Sequence, residues 1–445
     1  MTTRAATPLP TGSTAHGDHT GQSSAGKPFD LGAALLLVAA APGPWTVVVA
    51  IAGLGAYFLV FALVYGPIIT PDGARDVEYA RHLAALGYDP FAYVAYTEAH
   101  EGSHVAPKAS YLLYIYLLAA LDSVFGASWP RALTLFNVLA QTAFAASTVA
   151  IALRAAPSRL TLAAMVAFFL CGFEQLQWVA MTQSDPLFLA VSASALLLAC
   201  ASATQKHSGK RMVGWAATAG LVLLLALIRP TWPPIAAAAA AVAWLAPALR
   251  AEPAAARAAF LRLSAAGTAF GVLLLLVAAA LYDDPTHMPV PALQAALTKW
   301  RAYFVEGAVV LARPETFLDV RPTTFGIASV MFVRLAAFFR FWADGFSTVH
   351  QAANVVFHVP LYVFAAIGCW VSVRSPAQLS QFALAAAMAS LWWIASVDLF
   401  HAATMLDFDW RYRAPAYVAL LLLAAVGLHA LAANARAPSP NGRPA

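Results

Sequence analysis

Residues 45–80 read WTVVVAIAGLGAYFLVFALVYGPIITPDGARDVEYA. Positions 45–67 carry no charged side chain, whereas Asp72, Arg75, Asp76 and Glu78 crowd into the residues that follow. An α-helix rises about 1.5 Å per residue, so an uncharged run of this length covers the roughly 30 Å hydrocarbon core of a bilayer. The abrupt return of charge marks the point where the chain leaves the lipid. One membrane-spanning helix followed by a polar loop is the unit from which the fold is built.

The same alternation continues along the chain. Apolar runs at 45–67, 131–153, 160–180, 185–203, 213–228, 234–249, 264–282, 350–372, 377–397 and 414–434 each read as a spanning helix. Two further apolar stretches, 109–126 and 323–341, read as interfacial or re-entrant helices. The fold class is therefore an all-α polytopic membrane protein with about ten transmembrane helices. A β-barrel would show short segments of alternating hydrophobicity instead. Composition agrees: 61% of the 445 residues are hydrophobic and 11% are charged, against about 25% charged in soluble domains. The net charge of +5 is spread over short loops, a pattern that reports topology and not a nucleic-acid-binding face. Cys171, Cys200 and Cys369 lie far apart in apolar runs, with neither metal-ligand spacing nor a disulfide framework.

Loop charge sets the orientation. Arg154 with Arg159, Lys206 with Lys210 and Arg211, Arg250 with Arg257 and Arg262, and Arg374 form the basic short loops. Excess Lys and Arg identifies the cytoplasmic side, and all four fall there if 109–126 and 323–341 do not cross. Both termini are then cytoplasmic. Residues 1–29, rich in Thr, Ser, Gly and Ala, and residues 435–445 read as tails around a membrane domain at 30–434. The outer face receives long loops at 68–130, 283–349 and 398–413. Three mixed charge clusters fall in them: Asp72, Arg75, Asp76, Glu78, Glu98, Glu101, His104 and Lys108; then Asp283, Asp284, His287, Lys299, Arg301 and Glu306; then Asp398, His401, Asp407, Asp409, Arg411 and Arg413. Charges gathered on one face of a membrane bundle can converge on a polar site that meets a lipid-borne substrate.

Within the first cluster, Pro71 opens a helix, and Asp72 and Asp76 share a face four residues apart, with Tyr79 nearby. Such a pair can hold a proton, a metal ion or a substrate hydroxyl, because like charges raise one pKa; alternatively it is a solvated helix start with Arg75 as counter-ion. Lys108 after Pro107 suits a phosphate, or else snorkels at a helix end. His100 and His104 lack the spacing context of a metalloprotease helix. Arg411 and Arg413 flank Tyr412 at the outer boundary, where a bound anion or pairing with Asp407 and Asp409 would offset their charge. Arg229 follows an apolar run on the same side, and Asp185 is placed as an N-terminal cap.

These segments resemble a known superfamily. The early span followed by Asp72…Asp76-x-x-Tyr79, then Gly87-Tyr88-Asp89-Pro90, Pro107-Lys108, Tyr111-Leu112-Leu113-Tyr114, the Ser184-Asp185-Pro186 turn and Asp409-x-Arg411-Tyr412-x-x-Pro415 are similar to the GT-C membrane glycosyltransferases. These include the protein-mannosyltransferase-like and aminoarabinose-transferase-like enzymes. The resemblance implies a polyprenyl-phosphate-linked sugar as donor and a hydroxyl on a lipid, glycan or protein as acceptor. It implies Asp72 or Asp76 as catalytic base, with the choice open, and Lys108, Arg411, Arg413 and Arg229 toward the donor phosphate. Tyr79, Glu98, His104, Asp185 and Tyr412 are candidate substrate-binding residues. No nucleotide-binding loop is needed, and no cofactor is assigned, with room left for a divalent metal. The expected location is a bacterial inner membrane with the site on its outer face. Competing expectations are a transporter or flippase, a polymerase or ligase using a diphosphate-linked glycan, and an inactive scaffold.

Overall fold

A computed structural model of the chain describes residues 40–101, 111–283, 294, 298, 335–336, 338–342, 347–404 and 413–434. They form helices α1 Pro44–Tyr65, α2 Pro71–Ala85, α3 Pro90–Glu101, α4 Leu112–Phe125, α5 Trp129–Ala155, α6 Arg159–Cys171, α7 Phe173–Gln177, α8 Asp185–Thr204, α9 Ser208–Ile228, α10 Pro233–Ala251, α11 Pro253–Asp283, α12 Thr348–Arg374, α13 Gln381–Thr404 and α14 Ala414–Asn434. Among the described residues, eight segments are long and apolar enough to cross a membrane: α1, the run α4–α5, α8, α9, α10, α12, α13 and α14. The molecule is an α-helical multi-pass membrane protein.

The packing is that of a membrane bundle. At the centre lies α14, apolar all round and almost entirely buried, with α5, α6, α8, α12 and α13 around it. A helix that is apolar on every face belongs in a core or in lipid. The peripheral helices α1 and α9 are equally apolar but exposed: Trp45 is 78% and Leu63 69% accessible, and Met212 and Leu223 also face outward. Those surfaces are stable only against hydrocarbon. Since lipid supplies no hydrophobic drive between helices, association rests on close packing of small residues. In α12 and α14, a Cβ at Gly368 would collide with the Leu423 carbonyl, and one at Gly427 with that of Phe364.

The basic loops share one end of the bundle. The Arg159 amide donates to the Ala40 carbonyl at 2.8 Å, the Arg250 guanidinium to the Ala203 carbonyl at 3.0 Å, and Arg154 lies 4.9 Å over the Phe382 ring. The acidic and mixed-charge segments that are described lie at the other end.

Three boundaries differ from expectation. The span expected at 160–180 ends at Cys171, where Gly172 breaks the helix and the short α7 follows. Thirteen residues of α6 rise only about 20 Å, and irregular chain through residue 184 completes the path. That backbone is satisfied internally: Asn137 Nδ2 donates to the Met181 carbonyl at 2.9 Å, as buried non-helical chain in a membrane protein requires. The span expected at 377–397 starts later and runs further, because nothing between Leu399 and Thr404 breaks it; Asp398 and His401 therefore sit on the last turns of α13 and not in the loop expected from 398. Asp185, expected as a cap, is the first helical residue of α8, with Ser184 in the cap position. Within the stretch expected at 109–126, Leu112–Phe125 forms α4, set off from α5 by Gly126 at φ +51° and packed against α2 and α9. Of the stretch 323–341, all but residues 335–336 and 338–341 lies outside the described residues.

The segment after α1 docks on the segment before α8. Ile68 and Met181 form a parallel bridge, with Ile68 N to Ala180 O at 2.7 Å and Thr182 N to Ile68 O at 3.0 Å. The Thr70 amide donates to Thr182 Oγ1 at 3.0 Å, while Thr70 Oγ1 donates to the Thr182 carbonyl and accepts from Gly73 N, capping α2. Gly73 lies so close that a Cβ there would overlap Thr182 Oγ1. Gly73→Ala is therefore expected to lower thermal stability in detergent by about 1–3 kcal/mol, the range for overpacking. Gly53→Ala, whose Cβ meets nothing within 4 Å, is the control and should cost nothing.

Candidate functional site

The docked start of α2 gathers the site. Thr70 caps the helix, Pro71 occupies its first turn, and the first-turn acid is Asp72. The shared face expected for Asp72 and Asp76 forms, with Arg75 between them: its guanidinium lies 3.6 Å from Asp72 Oδ1 and 3.4 Å from Asp76 Oδ1. The two acids differ in environment. The Asp72 side chain is 43% accessible and the Asp76 side chain 11%. Burial raises the Asp76 carboxyl to about 6; Arg75 and Arg229 oppose the rise and Asp72 adds to it. Asp76 is thus a buried carboxyl that changes protonation just below neutrality, while Asp72 stays in contact with solvent.

Arg229 ends α9 and Asp185 begins α8, and the two form a buried ion pair. Arg229 is within Coulombic reach of Asp76, so residues over a hundred positions apart in sequence share one electrostatic group. Tyr93 of α3 and Tyr114 of α4 are buried in the core against α2, with Tyr111 before α4 packed on it. Tyr79 is buried among Val77, Leu83, Tyr93 and Tyr114, in a small core of its own made by α2, α3, α4 and the start of α5. The Gly87-Tyr88-Asp89-Pro90 motif is a turn: Gly87 and Tyr88 take positive φ, and Asp89 Oδ1 accepts the amides of Phe91 at 2.8 Å and Ala92 at 3.3 Å, capping α3. Its role is to aim Tyr93 inward.

Arg413 belongs to a second buried group. It donates to Glu174 Oε1 at 2.7 Å and also to the Arg340 carbonyl. The Tyr417 hydroxyl donates to Glu174 Oε2, and His358 Nε2 lies 3.1 Å from that hydroxyl. His358 Nδ1 is 3.0 Å from the Asn354 carbonyl, which orients the ring. This group ties α7, α12, α14 and the segment around 340 together. Arg413 therefore takes part in this joint. Sequence reasoning missed Glu174 and His358; the available signal was that each is an ionisable side chain inside an apolar run, which is costly in a membrane unless partnered.

Of the remaining expected residues, Glu98 falls on α3 with its side chain outside the described residues, and His104, Lys108, Arg411 and Tyr412 lie outside them altogether. Among the described residues, no group of three or more His, Cys, Asp or Glu gathers as a metal site. A cavity of about 500 Å³ opens between α11, α12 and α13, lined by Phe260, Gly267, Val272, Cys369, Trp392 and Leu399 among others, and predominantly apolar.

No protein-family model matches the chain, and neither curated proteins nor solved structures give a match.

Breaking a buried ion pair from one side strands the other charge, at about 3–5 kcal/mol. Glu174→Gln should therefore sharply lower the melting temperature in detergent, and Arg413→Met added to it should recover part of the loss. An unchanged melting temperature in Glu174→Gln would mean that the joint contributes nothing.

Proposed function

We propose that the chain is a membrane glycosyltransferase, transferring a sugar from a polyprenyl-phosphate donor to an acceptor hydroxyl. The observation that carries this reading is Asp76: a buried carboxyl, raised to about 6, braced by Arg75 and facing the Arg229–Asp185 pair at the end of a membrane bundle. A general base works best when its pKa lies near the operating pH, and burial brings the Asp76 carboxyl toward that range against the opposing pull of Arg75 and Arg229. Asp76 is the better base of the two, since Asp72 is half exposed and stabilises the local charge instead.

In the proposed step the acceptor oxygen attacks the anomeric carbon as its proton passes to the Asp76 carboxylate. The bond between that carbon and the phosphate oxygen breaks, and its electron pair leaves with the polyprenyl phosphate. Arg229 offsets the developing charge; by the resemblance, Lys108 and Arg411 assist. Direct displacement inverts the anomeric configuration. The apolar cavity between α11, α12 and α13 offers the isoprenoid tail a place within the hydrocarbon. The basic loops gathered at the opposite end favour an orientation with that end cytoplasmic and the site on the outer face of a bacterial inner membrane.

The test is transfer of label from a panel of polyprenyl-phosphate sugars in membranes carrying the protein. Asp76→Asn is expected to reduce transfer by a factor of about 10²–10⁴, the usual worth of a general base, and Asp72→Asn by less than about tenfold. Unimpaired transfer in Asp76→Asn, or no transfer by the wild type from any donor, overturns the reading. The pH profile gives a second check: transfer should rise as pH passes through about 6 and Asp76 ionises. Stability runs the other way. Because the folded state holds the Asp76 proton more tightly than the unfolded chain, this group favours folding at acid pH, and its contribution is lost as pH rises through about 6.

A further inference from the structure

Buried polar atoms that lack partners among the described residues occur on the segments that carry the Asp76 group. Among the described residues, the hydroxyls of Tyr93 and Tyr114, which are 0% and 1% accessible, have no hydrogen-bond partner, nor do Gln183 Oε1 and Thr231 Oγ1 on residues 7% accessible. Gln183 lies two residues before Asp185, and Thr231 two after Arg229. Tyr93 and Tyr114 pack in one core with Val77 and Tyr79 of α2, the helix that carries Asp76. An unsatisfied buried polar atom costs free energy that native proteins seldom accept. Several such atoms on the segments that hold one buried carboxyl point to something that satisfies them when present.

The chemistry of the set narrows the ligand. The tyrosine and threonine hydroxyls both donate and accept, whereas Gln183 Oε1 only accepts, as do the Asp76 and Asp185 carboxylates when ionised. A phosphate would satisfy the donors and oppose the acceptors. A ring bearing several hydroxyls supplies donors and acceptors together. We infer that Tyr93 and Tyr114, with Gln183 and Thr231, read the hydroxyls of a glycosyl ring held against Asp76, so that these residues set which sugar the site accepts. The inference rests on the proposed transferase reading and assigns its sugar subsite. The ring could belong to the donor or to the acceptor.

Binding separates this inference from the transfer reaction. Purified full-length protein is titrated with a short-chain polyprenyl phosphate, with the same carrier bearing a hexose or a pentose, and with the corresponding methyl glycosides; thermal stabilisation is the readout. At least one sugar-bearing probe should stabilise the wild type beyond its sugar-free counterpart, and Tyr93→Phe or Tyr114→Phe should weaken that extra binding about tenfold, the worth of one net hydrogen bond. Gain with the carrier-linked sugar places the donor ring here; gain with the methyl glycoside alone places the acceptor. Without ligand, both Phe variants should melt at or above the wild-type temperature, because each removes an unsatisfied hydroxyl. A lower melting temperature in the ligand-free variants, or no sugar-dependent gain in the wild type, overturns the inference. Sugar-dependent gain without any transfer leaves the subsite standing and refutes the transferase step. Transfer with unaltered sugar affinity in both Phe variants does the reverse.

Discussion

The pairing of Thr70 with Thr182 is the constraint on which the site depends. Two hydrogen bonds between these threonines, with the Ile68–Met181 bridge beside them, hold the chain leaving α1 against the chain entering α8. The first fixes where α2 starts and the second where α8 starts. Asp76 and Asp185 thereby arrive in one electrostatic group, although neither is near the other in sequence. Gly73 is what lets the two segments meet at this distance. In lipid the backbone polar groups of both irregular segments need internal partners, so this docking also satisfies a demand that the membrane imposes.

Much of the fold was legible. Hydropathy located the centres of α1, α5, α8, α9, α10, α12 and α14 because an apolar run of about 20 residues has few alternatives to spanning a bilayer. The failures have physical causes. The run at 160–180 has the composition of a span, but Gly172, Glu174 and Gln175 fall inside it, and the helix ends where Gly172 packs against the Phe357 ring. The last turns of α13 carry Asp398 and His401, which charge counting assigned to a loop; nothing local breaks the helix there. The i, i+4 spacing showed that Asp72 and Asp76 share a face. It could not show which of them is buried, because that depends on the segment 178–184 and on Arg229, both far away in sequence.

The candidate site was half legible for the same reason. Asp76, Asp185, Arg229 and Tyr79 were identified as residue types in suggestive places, and the fold brings the first three together. Tyr114 stood in sequence only as part of the Tyr111-Leu112-Leu113-Tyr114 motif and Tyr93 gave no signal; their burial without partners among the described residues sets them apart. Arg413 reads in sequence as an anion ligand beside Arg411. Its partner Glu174 lies 239 positions away, and with Tyr417 and His358 it builds a joint between helices. The two arginines thus differ in their surroundings: Arg413 joins helices of the bundle, and Arg229 pairs with Asp185 beside the Asp76 group.

The central claim is that a lipid-linked sugar sits against Asp76. The most direct measurement is a cryo-electron microscopy structure of the Asp76→Asn protein in lipid nanodiscs with a polyprenyl-phosphate sugar bound. The account predicts the ring within hydrogen-bond distance of residue 76 and Tyr93, the phosphate toward Arg229, and the tail running to the apolar cavity between α11, α12 and α13. A ligand bound elsewhere on the protein, with the Asp76 group empty, would contradict it.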